Sequence, residues 1–417
     1  MKRYMIFIVM ALGAAAAEAQ EELKKEEVME MAKAADAYVR HLRGFLHEYP
    51  ELSGQEVETS EFILGELEQL GLEVTKVRGT GLYAVLDTRR PGKTIGLRAD
   101  IDALPIPENP LNLKQPKLHV SRRRGVSHAC GHDGHTAILL GAARVLSGLK
   151  DRLSGRFVFI FEEGEETGSG IEAMIEALRP LGIDAFYGNH LRSSIPSGKI
   201  FIRQGAIMAG TGKVEIDILG RGGHASRPDL SVNPVFAAAN ILTGLSIAWN
   251  NQRDLTKTVT LGITQIQGSD IYNVIPNQAF IGGTIRFFDP SEGLRCYDII
   301  AQVASNIAAA HNCTARFGPS HGIFLPPVVN DPSLASFARQ AIEELLPGSV
   351  IDGEEHIWYA AESFTRYSEL APALFVFPGI LNDSLGSGAE HHNDRFDIDE
   401  DALLPALAAM IWFAAKL

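Results

Sequence analysis

The densest run of chemically active side chains is His128-Ala-Cys-Gly-His-Asp-Gly-His135. Imidazole, thiolate and carboxylate are the groups that divalent, zinc-like metals take as ligands. A lone histidine is more often structural, but five such groups in one short segment, with glycines among them, are hard to explain by packing. Zinc-finger spacing does not apply, because no second C-x-x-C or H-x-x-x-H half is present. The second run is Glu162-Glu-Gly-Glu-Glu166, directly after Arg156–Phe161, which reads as a fully buried strand. Its four carboxylates repel one another unless cations offset them, and sites in open α/β sheets gather outside the carboxyl ends of strands. Acids beside a thiol and imidazole cluster can supply both the carboxylate ligand and the carboxylate base of metal-assisted hydrolysis. His190 and the pair His391-His392 stand at further expected strand or loop ends. Neither G-x-S-x-G nor a P-loop occurs, so a serine nucleophile elbow and a phosphate cradle are unsupported.

These residues need elements to hold them. Val28, Met31, Ala35, Tyr38, Leu42 and Phe45 recur at helical steps until Pro50. A second helix carries Phe62, Ile63, Leu67 and Leu70. Strands are expected at Leu82–Leu86, Thr94–Leu97 and Arg156–Phe161, and helices at Thr136–Leu149 and Ile171–Leu178. Such alternation predicts an α/β layered sheet. The middle changes to strand–helix–strand–strand–helix–strand, a ferredoxin-like α+β order, over 206–318. A helix near 333–346, a strand at Leu374–Phe377 and a helix from about Glu400 return to the first pattern. The expected organisation is a leader at 1–19, a catalytic domain in two parts, 20–205 and 319–417, and an inserted lid at 206–318.

The leader reading rests on Lys2 and Arg3, the apolar run Met5–Ala17 and the ending Ala17-Glu18-Ala19. That pattern is a secretory signal peptide, and the run is shorter than the roughly 20 residues a membrane span needs. The mature protein is therefore expected to be exported, periplasmic or secreted, with cleavage near Ala19 and no membrane anchor. Charge points the same way on partners: 38 Lys and Arg against 51 Asp and Glu give a net −13, which disfavours nucleic acid and anionic lipid. With 46% hydrophobic and 21% charged residues, the chain is globular rather than disordered or fibrous. Of its 3 cysteines, Cys296 and Cys313 are expected about 20 Å apart along a helix, too far for a disulfide.

Together the motifs resemble the aminoacylase/carboxypeptidase-type di-metal peptidases, in the amidohydrolase branch of hippurate hydrolases, auxin–amino-acid conjugate hydrolases and N-acetyldiaminopimelate deacetylases. The resemblance runs from about Leu42 to the C-terminus. It is carried by Leu46-His-Glu-Tyr-Pro-Glu-Leu-Ser53, Leu97-Arg-Ala-Asp-Ile-Asp-Ala-Leu-Pro105 and the His128 run. In the insert it is carried by Gly222-Gly-His-Ala225, Asn273-Val-Ile-Pro276 and Gly283-Thr-Ile-Arg286. It implies a di-zinc-exopeptidase-like α/β catalytic domain with a lid and dimerisation domain. It implies two divalent ions, zinc or manganese before cobalt or nickel, on Cys130, His132, Glu166, His190 and His392. Glu165 falls on the catalytic base. His224 falls on a lid histidine that polarises the substrate carbonyl, often from the partner subunit of a homodimer. Asn273 and Arg286 fall on substrate contacts, and Asp100 and Asp102 resemble groups that orient the ligands. The implied reaction is hydrolysis of N-acyl amino acids or similar small amides. An exported dipeptidase or exopeptidase, and a non-catalytic binding protein on the same fold, are the alternatives. Departures from the family pattern are Glu162-Glu-Gly164 for the usual Q-P-A, Glu362-Ser-Phe364 for E-D-F, Ala225-Ser-Arg-Pro-Asp229 for A-A-M-P-H, and Asn393-Asp394 for a pair ending in proline.

Overall fold

The computed structural model describes residues 23–417. The predicted leader, 1–19, lies outside the described residues.

A nine-stranded mixed sheet forms the centre of the larger unit. Its middle strands, Arg156–Glu162, Thr94–Asp100, Ala185–Asn189 and Ala373–Leu381, run parallel. Their near-continuous apolar runs are what burial on both faces demands. One face is covered by the helices Lys25–Glu48, His132–Gly148, Pro332–Leu345 and Leu403–Lys416, whose side chains join one core with Phe157, Phe159 and Phe161. The other face is covered by the helix Ile171–Leu178 and the 3₁₀ turn Ser363–Glu369, packed on Ile160, Phe186 and Phe375. Each fully buried Leu, Ile or Phe contributes roughly 1.5–3 kcal/mol. Close packing also explains Gly141: a Cβ there would lie 2.5 Å from the Val39 side chain, so the two long helices could not approach as they do.

The helix expected at Thr136–Leu149 begins four residues earlier, at His132. Gly131, at φ 87°, takes the left-handed turn that only glycine adopts freely and sends the chain straight into the helix. The buried first turn is polar (His132, Asp133, His135), which hides it from an apolar-periodicity reading.

Residues 210–325 build a second, antiparallel sheet in the order Val259–Gln267, Gln278–Phe287, Gly210–Leu219, Thr314–Phe317, with Gly322–Leu325 also paired to Gly210–Leu219. The helices Pro234–Gln252 and Pro290–Ala310 pack on it and enclose a separate core around Ile216, Ile241, Ile281 and Ile300. Asn233 and Asp289 cap these helices ahead of a proline at the first helical position. Cys296 and Cys313 are free and buried. Among the described residues no helix is long and apolar enough to cross a membrane.

Candidate metal and catalytic site

Parallel strands bring their carboxyl ends to one edge. Asp100 and Glu162 end neighbouring strands in register, and His190 follows the strand Ala185–Asn189. Gly164, at φ 60°, then turns the chain so that Glu165 and Glu166 return over this edge. His132, at the start of its helix, faces the same place. His392 arrives on the loop before the last helix, held at φ 63°, a rare conformation for a residue with a Cβ.

Ligand atoms of Cys130, His132 and His190 lie within 4.8 Å of one another. The same holds for Cys130, Glu166 and His392, and for His132, Glu165 and Glu166. Cys130, His132 and Glu166 each belong to two of these groups, so the groups adjoin one another.

Hydrogen bonds fix the tautomers that ligation needs. His190 Nδ1 lies 2.8 Å from the Leu191 carbonyl oxygen, which only accepts, so Nδ1 carries the proton. Nε2 is left bare, 3.5 Å from Cys130 Sγ. His132 Nδ1 lies 3.0 Å from Asp102 Oδ1 and donates to it. His132 Nε2 is buried without a hydrogen-bond partner, and Glu166 Oε1 lies 3.3 Å from His392 Nε2. An unpartnered buried nitrogen is costly unless a cation meets it, so this donor set fits divalent metal. His135 is different. It donates from Nδ1 to Asp100 Oδ1 at 2.6 Å and accepts the Leu191 N–H at Nε2 at 2.8 Å, so both nitrogens are used within the protein. Asp102 also accepts from Ser53 Oγ at 2.6 Å and from the Glu166 N–H at 3.1 Å, tying one ligand to the backbone of another.

The groups open on a cavity of about 260 Å³, whose walls include Glu165, Met208, Trp358, Ala360 and Glu362. Glu165 Oε1 accepts the Ser363 N–H at 2.9 Å. Burial, with the nearby Glu362 and Glu166 charges, pushes the Glu165 carboxyl well above the usual carboxylate range. Burial and the Glu166 charge likewise push the Cys130 thiol well up.

The lid residues stand elsewhere. His224 is exposed on the short strand Gly223–His224, which pairs with Val274–Ile275. The Ala225 N–H donates to the Asn273 carbonyl at 3.0 Å, so His224 and Asn273 are neighbours. Arg286 lies one residue from the end of the strand Gln278–Phe287, with Nη1 donating to Thr211 Oγ1 at 2.6 Å and to the Ile285 carbonyl at 3.1 Å. None of the three lines the cavity. The structure thus brings together Cys130, His132, Glu165, Glu166, His190 and His392, with Asp102 behind them, and holds the lid trio apart within one chain.

Sequence reasoning gave no role to Arg98, Glu162 or Ser363. All are buried directly beneath the site. The available signal was three ionisable residues, Arg98, Asp100 and Asp102, in a stretch otherwise apolar enough for a buried strand.

Residues 96–415 match the model of Peptidase family M20/M25/M40. The chain belongs to this family. It is 35% identical to thermostable carboxypeptidase 1 of Saccharolobus solfataricus, over 93% of this chain and 96% of that one. It is 35% identical to N-acetylcysteine deacetylase of Bacillus subtilis, over 90% and 95%. Among solved structures it is similar to the Bacillus subtilis YXEP protein, described as a dinuclear metal binding peptidase from the M20 family. That likeness has TM-score 0.79 and 33% identity, covering 92% of this chain and 98% of that one. The M20 membership agrees with the resemblance drawn from the motifs.

Proposed function

We propose that this M20 protein is a metal-dependent amidohydrolase that cleaves the amide bond of N-acyl amino acids. The carrying observation is the convergence of these ligand atoms, two of them on histidines of fixed tautomer, beside the half-buried Glu165 carboxylate. The deacetylase relative supports an N-acyl substrate, and the YXEP structure supports two metal ions. Cys130, His132, Glu166, His190 and His392 would hold the ions, zinc or manganese by donor type. When bound, the ions would supply Lewis acidity and lower the pKa of water from 15.7 to about 7.

The chain's own residues supply the rest. Glu165 accepts the proton of the attacking water and returns it to the leaving nitrogen. The Ser363 N–H fixes the carboxylate meanwhile. Met208, Trp358 and Ala360 give the cavity an apolar wall that excludes water from the acyl side. His224 is prepared as a hydrogen-bond donor: its Nδ1 accepts the Ser226 N–H at 3.1 Å, which leaves the proton on the outward Nε2. That proton would polarise the substrate carbonyl and its oxyanion. Since His224 lies outside its own chain's cavity, the reading has it reach the cavity of a second copy. A homodimer through the lid is supported by the sheet edge Val259–Gln267 and the apolar groove beside it, lined by Leu245, Trp249, Leu261 and Ile263. Asn273 and Arg286 would contact the substrate carboxylate, Arg286 bidentately. The basic, apolar, A-x-A start of the sequence supports export to the periplasm or outside.

Metal-free protein reloaded with zinc, manganese, cobalt or nickel and given N-acetyl and N-benzoyl amino acids tests the reading. Turnover of these amides with at least one metal is expected. Turnover of dipeptides alone would favour the exopeptidase reading, which the carboxypeptidase relative supports. Metal binding without any amide turnover would favour a binding protein.

A further inference from the structure

Beneath the cavity lies a buried ionic cluster centred on Arg98, whose side chain has 0% exposure. Its Nε donates to Glu162 Oε2 at 2.8 Å and its Nη1 to Asp100 Oδ2 at 2.7 Å. Its Nη2 lies 3.0 Å from Glu362 Oε1 and donates to Ser363 Oγ at 2.9 Å. The Ser363 hydroxyl in turn donates to Glu162 Oε1 at 2.6 Å. Tyr367 Oη donates to the other oxygen of Glu162 at 2.7 Å. Three carboxylates around one guanidinium need such donors, since unpaired buried charge is costly.

Ser363 differs from the other members. Its side chain is locked into the cluster, while its backbone N–H is the donor to Glu165 Oε1. The hydroxyl accepts from Arg98 and has two acceptors within reach, Glu162 Oε1 at 2.6 Å and Glu362 Oε1 at 3.3 Å, and these contacts together hold the rotation of the residue. The direction of its N–H is fixed with it. Arg98 and Glu162, on the neighbouring strands Thr94–Asp100 and Arg156–Glu162, tie the turn that carries Ser363 to the strand ends, alongside the apolar packing of Phe364 and Tyr367.

We infer that Ser363 is a positioning residue for the base: its hydroxyl, clamped between Arg98 and Glu162, aims its N–H and so fixes the Glu165 carboxylate over the reacting water. The inference rests on the proposed role of Glu165. It goes beyond that role by assigning the accuracy of the base to a hydroxyl outside the cavity's ligand set. A misplacement of about 1 Å costs on the order of 100-fold in rate, so a clamp of this kind has a measurable consequence.

The experiment compares Ser363→Ala, Ser363→Thr, Tyr367→Phe and Glu165→Ala, each assayed per metal-loaded folded protein. Ser363→Ala is expected to lower kcat by about 10- to 100-fold, with KM and metal content unchanged. Ser363→Thr, which keeps the hydroxyl, recovers most of that loss. Tyr367→Phe removes a hydrogen bond from Glu162 without touching Ser363, so it lowers Tm and leaves kcat close to wild type. Wild-type kcat in Ser363→Ala, or equal losses in Ser363→Ala and Tyr367→Phe, overturns the inference. A second readout does not require a folded Ser363 variant or bound metal: the Ser363 amide proton resonance of the metal-free wild type. Glu165→Ala, which removes the acceptor altogether, should move it upfield, and an unmoved resonance overturns the contact. If Glu165→Ala itself keeps turnover, the reading of the base fails. If Glu165→Ala is dead while Ser363→Ala is normal, only the clamp fails.

Discussion

The edge of the large sheet and the two-stranded ribbon of the lid carry the same kinds of residue in opposite states. At the edge, His132 and His190 are buried, and each is held in one tautomer by an acceptor on Nδ1. On the lid, His224 is exposed with its donor nitrogen facing outward, and Asn273 is exposed beside it. One region has its orienting partners within a single chain, while the other has a donor that meets no acceptor among the described residues. On the proposed reading, ligands must be preorganised before an ion arrives, so internal partners suit them. A group that would meet the substrate carbonyl can arrive later, which suits a place on the lid.

Three changes would break or sharpen that contrast. The largest effect is expected from His224→Ala, which should lower kcat by about 100- to 1,000-fold, the usual cost of an oxyanion donor, with metal content unchanged by elemental analysis. Mixing it with Glu165→Ala should restore activity in the heterodimer, where one site has both intact residues. No recovery in confirmed heterodimers would mean that the lid serves its own chain. Next comes Asp102→Ala, which frees His132 to rotate and should cost about 10- to 100-fold in metal affinity, as such orienting partners do. Titration with a chelator checks it, and unchanged affinity would show that the His132 tautomer does not depend on Asp102. The smallest effect tests the far side of the catalytic helix. Burial alone would raise the Glu108 carboxyl, but hydrogen bonds and charge from His47 and Lys117 bring it from 4.5 down to about 2. A depressed carboxylate stabilises above its unfolded value and loses that contribution as pH falls toward the folded one. Glu108→Gln should therefore flatten the fall in Tm between pH 4.5 and 2. An unchanged slope would remove Glu108 from the acid response.

Much of the finished region was legible in the sequence because it is local. Cys130, His132, Glu165 and Glu166 sit in two short runs, each at the end of a readable element. His190 and His392 needed the family resemblance, since a strand-end histidine has no distinctive spacing. The fixed tautomers were only partly legible: the resemblance gave Asp102 an orienting role, but the pairing of His190 with the carbonyl of its own neighbour Leu191 depends on local backbone conformation, which spacing does not show. The Arg98 cluster was hidden by separation along the chain. Glu162 and Ser363, both departures from the usual family residues, are 201 positions apart and meet at 2.6 Å. Read along the chain they are unrelated changes. In the fold they form one contact. The early start of the helix at His132 escaped because buried polar residues break apolar periodicity at the position where the function needs them.

The most direct test of the central claim is Glu165→Ala, with metal content and kcat measured on the same preparation against an N-acyl amino acid. Glu165 is read as the base and Glu166 as the ligand, so full metal occupancy with nearly all turnover lost is expected. Retention of near-wild-type kcat would contradict that assignment, and with it the reading of this edge as a hydrolytic site built around Glu165.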